Sequence, residues 1–325
     1  MPTLSTLLNE LACFKPSNAQ LLVALISSLF GLRQIIAKPA RPRKIPHHAE
    51  RVLVLGATGG IGRAIAQEYA SRGANICVVG RRQTQLDDVV RELGGADRHV
   101  MGVRGDFANV DDMVRVRAAI EEAWDGLDTL AVVAGVSALQ PLMVLAGVEN
   151  PTSSASAVGI QHMVDVAAAA TAGNYTGPMV AAGTFIPMLS QTSPSPSILL
   201  LSSLAAVVPA PTRTLYGSTK GAALLLYQSL AIEHPGIKFS FILPWTVEGD
   251  FRAGAVDGGP VREKNPTSIG LKRGTVAKAC LKAVDWGTRT VFMPWFYRYA
   301  NIVYWLWPSY VEWRARIKYN YSNAR

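Results

Sequence analysis

The sequence predicts an α/β fold: a doubly wound parallel sheet with helices on both faces, in a single domain. Three observations lead there. Between about residues 51 and 291, short aliphatic runs alternate with segments of helical spacing. The runs are apolar almost throughout, as strands covered on both faces must be. The polar exceptions fall where the runs end, and open α/β sheets bind ligands outside the C-terminal ends of their strands.

The elements follow in order. RVLVLG (51–56) is a strand that ends in glycine, and RAIAQEYASRG (63–73) is a helix closed by Gly73. NICVVG (75–80) is the second strand and TQLDDVVREL (84–93) the next helix. HVMGVRGD (99–106) and LDTLAVVAG (127–135) are strands on either side of the helical DDMVRVRAAIEEAW (111–124). ILLLSS (198–203), the helix LYGSTKGAALLLYQSLAIE (215–233) and IKFSFILP (237–244) continue the alternation. The predicted ligand edge therefore carries Gly56 to Gly62, Arg81, Asp106, Gly135, Ser203 and Pro244.

With 49% hydrophobic and 17% charged residues in a chain of 325, the protein is not intrinsically disordered. Cys13, Cys77 and Cys280 lie far apart, which argues against a disulfide framework, and neither they nor the five histidines have metal-ligand spacing. Net charge is +9, concentrated beside hydrophobic segments. Arg33 lies near the end of the apolar stretch Ala19–Ala37 and Lys38, Arg41, Arg43, Lys44 and Arg51 follow it, while Arg314, Arg316, Lys318 and Arg325 follow an aromatic one. That pairing suits a membrane surface better than nucleic acid.

Ala19–Ala37 has about the length of a membrane span, and its basic C-terminal flank would keep the following domain on the cytoplasmic side. A buried amphipathic helix is the alternative. The segment 291–325 holds tryptophans and tyrosines interrupted by Pro294 and Pro308, which suits the headgroup boundary or a lid over a substrate, or both. The expected organisation is an anchor and basic linker over 1–50, a catalytic domain over 51–290 and an aromatic, basic extension over 291–325.

GATGGIG (56–62) follows a strand and opens a helix, the context a dinucleotide-binding turn requires. Gly56 permits the tight turn, Gly60 the approach of a pyrophosphate, and Gly62 close packing of helix on sheet; Thr58 and Ile61 complete the candidate loop. Free N–H groups at the helix start would face the phosphates. The second strand ends in Arg81 and Arg82, where an NAD-selective site usually has an acid. Guanidinium groups pair with a 2′-phosphate, so the expected cofactor is NADP(H). Asp106 is placed beside the adenine.

Tyr216 and Lys220 stand one turn apart at the start of their helix and reach a common point. With GATGGIG, VAG (133–135), Asn174 in NYTGP, and Ser203 thirteen positions before the tyrosine of YGSTK, they resemble the short-chain dehydrogenase/reductase family over about residues 51–290. The resemblance implies a Rossmann-like domain. It makes Tyr216 the proton donor to a carbonyl oxygen, or the base in the reverse direction. Lys220 would lower the phenol's proton affinity and hold the nicotinamide ribose. Ser203 would bind the substrate oxygen, and Asn174 would anchor a water returning protons to Tyr216. The cofactor-binding set is Gly56, Thr58, Gly60, Ile61, Gly62, Arg81, Arg82, Asp106, Gly135, Tyr216, Lys220 and Pro244, with no metal.

The sequence departs from the family pattern at Leu55, at Val132 and Val133 in place of two asparagines, and at Trp245 in place of the glycine after Pro244. The resemblance is to membrane-associated hydroxysteroid and retinol dehydrogenases. It implies interconversion of ketone and secondary alcohol on a steroid, retinoid or lipid, at the endoplasmic reticulum or a lipid droplet with the catalytic domain cytosolic. A homodimer built on the long helices is common in the family. Two alternatives stand beside this reading: a reductase of a long-chain keto-lipid or secondary metabolite, and a catalytically silent NADP-binding scaffold.

Overall fold

The computed structural model describes residues 17–18, 21–23, 25–28, 45–95, 99–148, 150, 152–263 and 270–321. The chain divides into two units, Met1–Ala40 and Arg41–Arg325. In the first, the described residues of the expected anchor are helical and Leu21, Leu22, Val23, Leu25 and Ile26 are exposed. The rest of Ala19–Ala37 and most of the basic linker lie outside the described residues. No helix among the described residues is long and apolar enough to cross a membrane.

The second unit contains seven parallel strands: β1 (Arg51–Leu55), β2 (Asn75–Gly80), β3 (Val100–Arg104), β4 (Thr129–Val132), β5 (Ser197–Leu201), β6 (Lys238–Pro244) and β7 (Thr290–Met293). Their order is β3-β2-β1-β4-β5-β6-β7. The order reverses between β1 and β4, which opens a crevice at the C-terminal ends of those strands. The domain boundary expected at residue 290 falls within β7.

The helices of seven or more residues in this unit are α1 (Gly60–Ser71), α2 (Gln83–Leu93), α3 (Val110–Trp124), α4 (Ala157–Thr171), α5 (Gly177–Thr192), α6 (Thr214–Glu233), α7 (Arg273–Trp286), α8 (Ala300–Leu306) and α9 (Pro308–Lys318). Alternate side chains of β1 divide the core. Val52 and Val54 pack with Ile65 and Tyr69 of α1 and Val276 and Leu281 of α7. Leu53 and Leu55 face Met113 of α3, Phe185 of α5 and Tyr227 of α6. Both faces are thus covered, which accounts for the unbroken aliphatic strands.

Strand positions agree with the sequence reading to within a few residues. Helix α1 starts at Gly60 instead of residue 63, because the glycine turn feeds directly into the first helical turn. Helices α4, α5 and α7 and strand β7 were not legible. Helix α4 is alanine-rich and offers no clear apolar stripe, while α5 contains Pro187, ordinarily a helix breaker. Arg51, counted with the basic cluster and also as the first residue of β1, is committed to the fold. It pairs with Asp128 through two guanidinium bonds of 2.9 Å and also donates to the Thr192 carbonyl.

Candidate active site

One cavity of ≈1720 Å³ runs along the C-terminal edge of the sheet. Every residue named above as cofactor-binding lines it: Gly56, Thr58, Gly60, Ile61 and Gly62 from the turn, Arg81 and Arg82 after β2, Asp106 after β3, Gly135 after β4, Tyr216 and Lys220 on α6, and Pro244 at the end of β6. Ser203 joins them after β5. Asn174 lies just behind the wall and is completely buried.

The glycine turn is shaped for close approach. Gly56 has φ +91°, and a Cβ there would lie 2.7 Å from the Ala134 backbone at the end of β4. A Cβ at Gly62 would collide with the Gly56 carbonyl oxygen, so helix and turn are in backbone contact. Gly60 has φ +55° with open space beside it, a conformation that favours glycine. No side chain caps α1 at Gly59, which leaves the first N–H groups of the helix to the cavity.

This cradle fits a dinucleotide. Arg81 and Arg82 are exposed at its far end, and Arg81 approaches Asp106 at only 3.7 Å, a loose pairing between partly solvated groups. Gln85, on the same wall, has a buried side-chain oxygen without a hydrogen-bond partner among the described residues. That acceptor is a signal the sequence reading missed.

Two of the catalytic candidates, Asn174 and Lys220, meet at Gly135. A Cβ added there would lie 2.8 Å from Asn174 Oδ1 and 3.0 Å from Lys220 Nζ, so glycine is what lets both side chains converge. Lys220 is 5% exposed, donates to the Leu201 carbonyl at 3.2 Å, and is lowered by burial from 10.5 to about 8. Asn174 sits in a single π turn, Ala172–Thr176, between α4 and α5, and such turns are frequent at functional sites. Its Oδ1 accepts from Val136 N–H at 2.9 Å; its Nδ2 donates to the Val136 carbonyl at 2.9 Å and to Thr219 at 3.1 Å. The side chain therefore pins the loop after β4 and the catalytic helix together.

Tyr216 is half-buried and hydrogen-bonds the Ser203 hydroxyl. Burial, the largest influence, raises its pKa; Arg213, the Ser203 bond and Arg252 act against it in that order. Positive charge on the phenol thus comes also from Arg213 and Arg252, which the sequence reading did not include. The Arg213 guanidinium carbon lies 5.4 Å from the centre of the Tyr216 ring. Arg213 is itself held by Ser137 Oγ at 2.8 Å and the Ala138 carbonyl at 3.3 Å. It precedes Tyr216 by three positions, so a helix reading could have found it.

The departures from the family pattern are absorbed by the backbone. Val133 and Ala134 N–H donate to the Leu55 carbonyl at 3.1 and 2.9 Å, which links the strands without asparagine side chains. The Trp245 ring stands edge-on to Tyr297 at 4.8 Å and receives Lys318 Nζ over its face at 4.3 Å. The aromatic extension thus closes the cavity from above, with Phe296, Tyr299, Tyr310 and Tyr319 in its lining.

A sequence profile described as short chain dehydrogenase matches residues 50–257. The chain belongs to the short-chain dehydrogenase/reductase family and resembles its hydroxysteroid dehydrogenases. It is 26% identical over 281 residues to 11-beta-hydroxysteroid dehydrogenase 1A of Arabidopsis thaliana, covering 82% of this chain and 75% of that one. It is 26% identical over 284 residues to 11-beta-hydroxysteroid dehydrogenase A of Sesamum indicum, with the same coverage of each chain. Among solved structures, a short chain dehydrogenase/reductase from Burkholderia phymatum in complex with NAD shares the fold at TM-score 0.67 and 20% identity, over 81% of this chain and 96% of that one. An alcohol dehydrogenase from the archaeon Thermococcus sibiricus, complexed with 5-hydroxy-NADP, does so at TM-score 0.60 and 22% identity, over 75% and 95%.

Proposed function

We propose that the chain is a membrane-associated, NADP(H)-dependent oxidoreductase that interconverts a ketone and a secondary alcohol on a lipophilic substrate. The observation that carries this reading is the convergence of Ser203, Tyr216 and Lys220 in a cavity roofed by aromatic side chains.

NADP(H) bound in the cradle would accept or supply the hydride. Gly56, Gly60 and Gly62 with the start of α1 would hold its pyrophosphate, Arg81 and Arg82 its 2′-phosphate, and Lys220 its nicotinamide ribose. The Ser203 hydroxyl binds the substrate oxygen. The Tyr216 phenol gives that oxygen a proton during reduction and takes it back during oxidation. Arg213 stabilises the phenolate between those events, and Asn174 keeps α6 in register with the loop after β4. Protonated Lys220 can also carry a proton inward, since a value near 8 makes both of its states accessible close to neutrality.

The hydroxysteroid dehydrogenase relatives support a steroid-like or comparably lipophilic substrate. Membrane association is supported by Trp305, Leu306, Trp307 and Trp313, all more than half exposed on the extension, and by Arg314 and Arg316 beside them. Residues 19–37 would add an anchor and place the protein at the endoplasmic reticulum or a lipid droplet, with the catalytic unit cytosolic. The test is purified full-length protein in detergent, given NADPH and a panel of hydrophobic ketones. Turnover abolished by Tyr216→Phe supports the enzyme. NADPH binding with no turnover of any ketone overturns it in favour of a scaffold.

A further inference from the structure

Three cations at the substrate end of the cavity share one acid. Glu263 is 5% exposed and lies behind the wall. Its carboxylate meets Arg252 at 2.8 Å, Lys318 at 3.2 Å and Arg213 at 3.8 Å, and accepts a hydrogen bond from Thr246. Among the described residues, every ion pair made by these three cations goes to Glu263. All three line the cavity, whereas Glu263 does not. Three further acids on this side make no ion pair with them among the described residues: Glu248 is tied to Lys272 and to the Arg273 backbone, Asp257 accepts from the Leu139 and Gln140 N–H groups, and Asp250 lies exposed at the rim.

The local sum is two surplus positive charges on largely buried side chains. Buried charge without a partner is costly, and proteins balance it with an opposite charge or a ligand. Hydrogen-bond capacity points the same way. The Glu263 oxygens are taken, while the guanidinium and ammonium groups carry more N–H donors than the contacts above use. On the same wall the Trp245 indole N–H is buried with no partner among the described residues. The cluster also sits beside the reacting group: Arg213 is over the Tyr216 ring and Phe251 packs on that ring edge-on at 6.1 Å. The anion it awaits therefore belongs next to the carbonyl.

We propose that Arg213, Arg252 and Lys318 form an anion subsite, and that the substrate is an amphiphilic keto acid with its carboxylate held there and its apolar body under the aromatic roof. This rests on the oxidoreductase reading and narrows it. A second source of negative charge is the pyrophosphate of the dinucleotide, which the same cations could meet if the cofactor extended that far.

Binding separates the possibilities without requiring turnover. Full-length protein in detergent is titrated with a keto fatty acid and with its methyl ester, followed by tryptophan fluorescence, for the parent chain, Arg252→Gln and Lys318→Met. NADPH is titrated in parallel. The expected result is that the acid binds at least tenfold more tightly than the ester to the parent chain, that the ratio falls below about threefold in both variants, and that NADPH affinity changes less than twofold. Lys318→Met leaves Glu263 with both arginines, so the comparison survives if Arg252→Gln does not fold. Equal binding of acid and ester to the parent chain overturns the subsite. So does an acid preference retained in the variants, or a loss of NADPH affinity with the acid-to-ester ratio unchanged, which assigns the cations to the cofactor. Acid-selective binding with no turnover of any ketone would instead leave the subsite standing and remove the oxidoreductase reading.

Discussion

Replacing Lys220 with methionine should make the folded protein more stable while removing its activity. The lysine is 5% exposed and its pKa falls from 10.5 to about 8 because burial penalises the ammonium. At about 1.4 kcal/mol for each tenfold change in proton affinity, keeping that charge buried at pH 7 costs the fold about 3 kcal/mol. The substitution also removes the hydrogen bond to the Leu201 carbonyl, worth about 1 kcal/mol. The net expectation is about 2 kcal/mol of added stability at pH 7.

The sign with pH follows. Between about pH 8 and pH 10.5 the unfolded chain holds the Lys220 proton while the folded chain has lost it. Stability of the parent therefore rises with pH across that window. At about pH 9.5 the charge penalty is down to about 1 kcal/mol, and the advantage of the variant should vanish. Lys318, which burial also lowers to about 8, titrates in the same range but is present in both proteins and cancels in the difference. Urea unfolding followed by circular dichroism, without dinucleotide, measures this directly. A variant less stable than the parent at pH 7, or an advantage independent of pH, would refute the reasoning. Ketone reduction should fall at least about hundredfold in the same variant.

Gly56→Ala places a Cβ 2.7 Å from the Ala134 backbone at φ +91°, so NADPH affinity measured by fluorescence should drop at least about tenfold. Arg81→Ala with Arg82→Ala should erase the preference for NADPH over NADH, read as the ratio of dissociation constants, while NADH affinity stays within about threefold. Asn174→Ala leaves the Val136 N–H and carbonyl unpaired and should cost about 2 to 4 kcal/mol in urea unfolding.

What the sequence disclosed was whatever is encoded locally. A strand buried on both faces must be largely apolar, so the central strands could be read directly, and β3, partly exposed at the sheet edge, could be read from its place in the alternation. The glycine turn and the Tyr216–Lys220 pair are close in sequence and carry fixed spacings. Helix α4 could not be read because alanine leaves no stripe, and β7 because Thr290–Met293 is short and opens an aromatic stretch. The Glu263 cluster was invisible for another reason. Its cations come from the start of α6, the loop after β6 and the end of α9, and no local pattern announces that they share a carboxylate.

Trp245 shows how a departure from a family pattern can be explained by a segment outside that pattern. Read alone, an indole where a glycine is usual threatens the cofactor slot. In the fold its backbone N–H donates to the Met293 carbonyl at 2.8 Å, while its ring packs on Tyr297 and under Lys318. All three contacts lie beyond residue 290, in the end of the sheet and the aromatic extension. A glycine would offer that extension neither a face for the ammonium nor an edge for the tyrosine. The indole and the extension therefore act as one feature. The loop expected to serve the cofactor also supports a roof, and the roof returns Lys318 to the cavity wall that Tyr216 shares. The same contact that closes the cavity thus completes its positive charge.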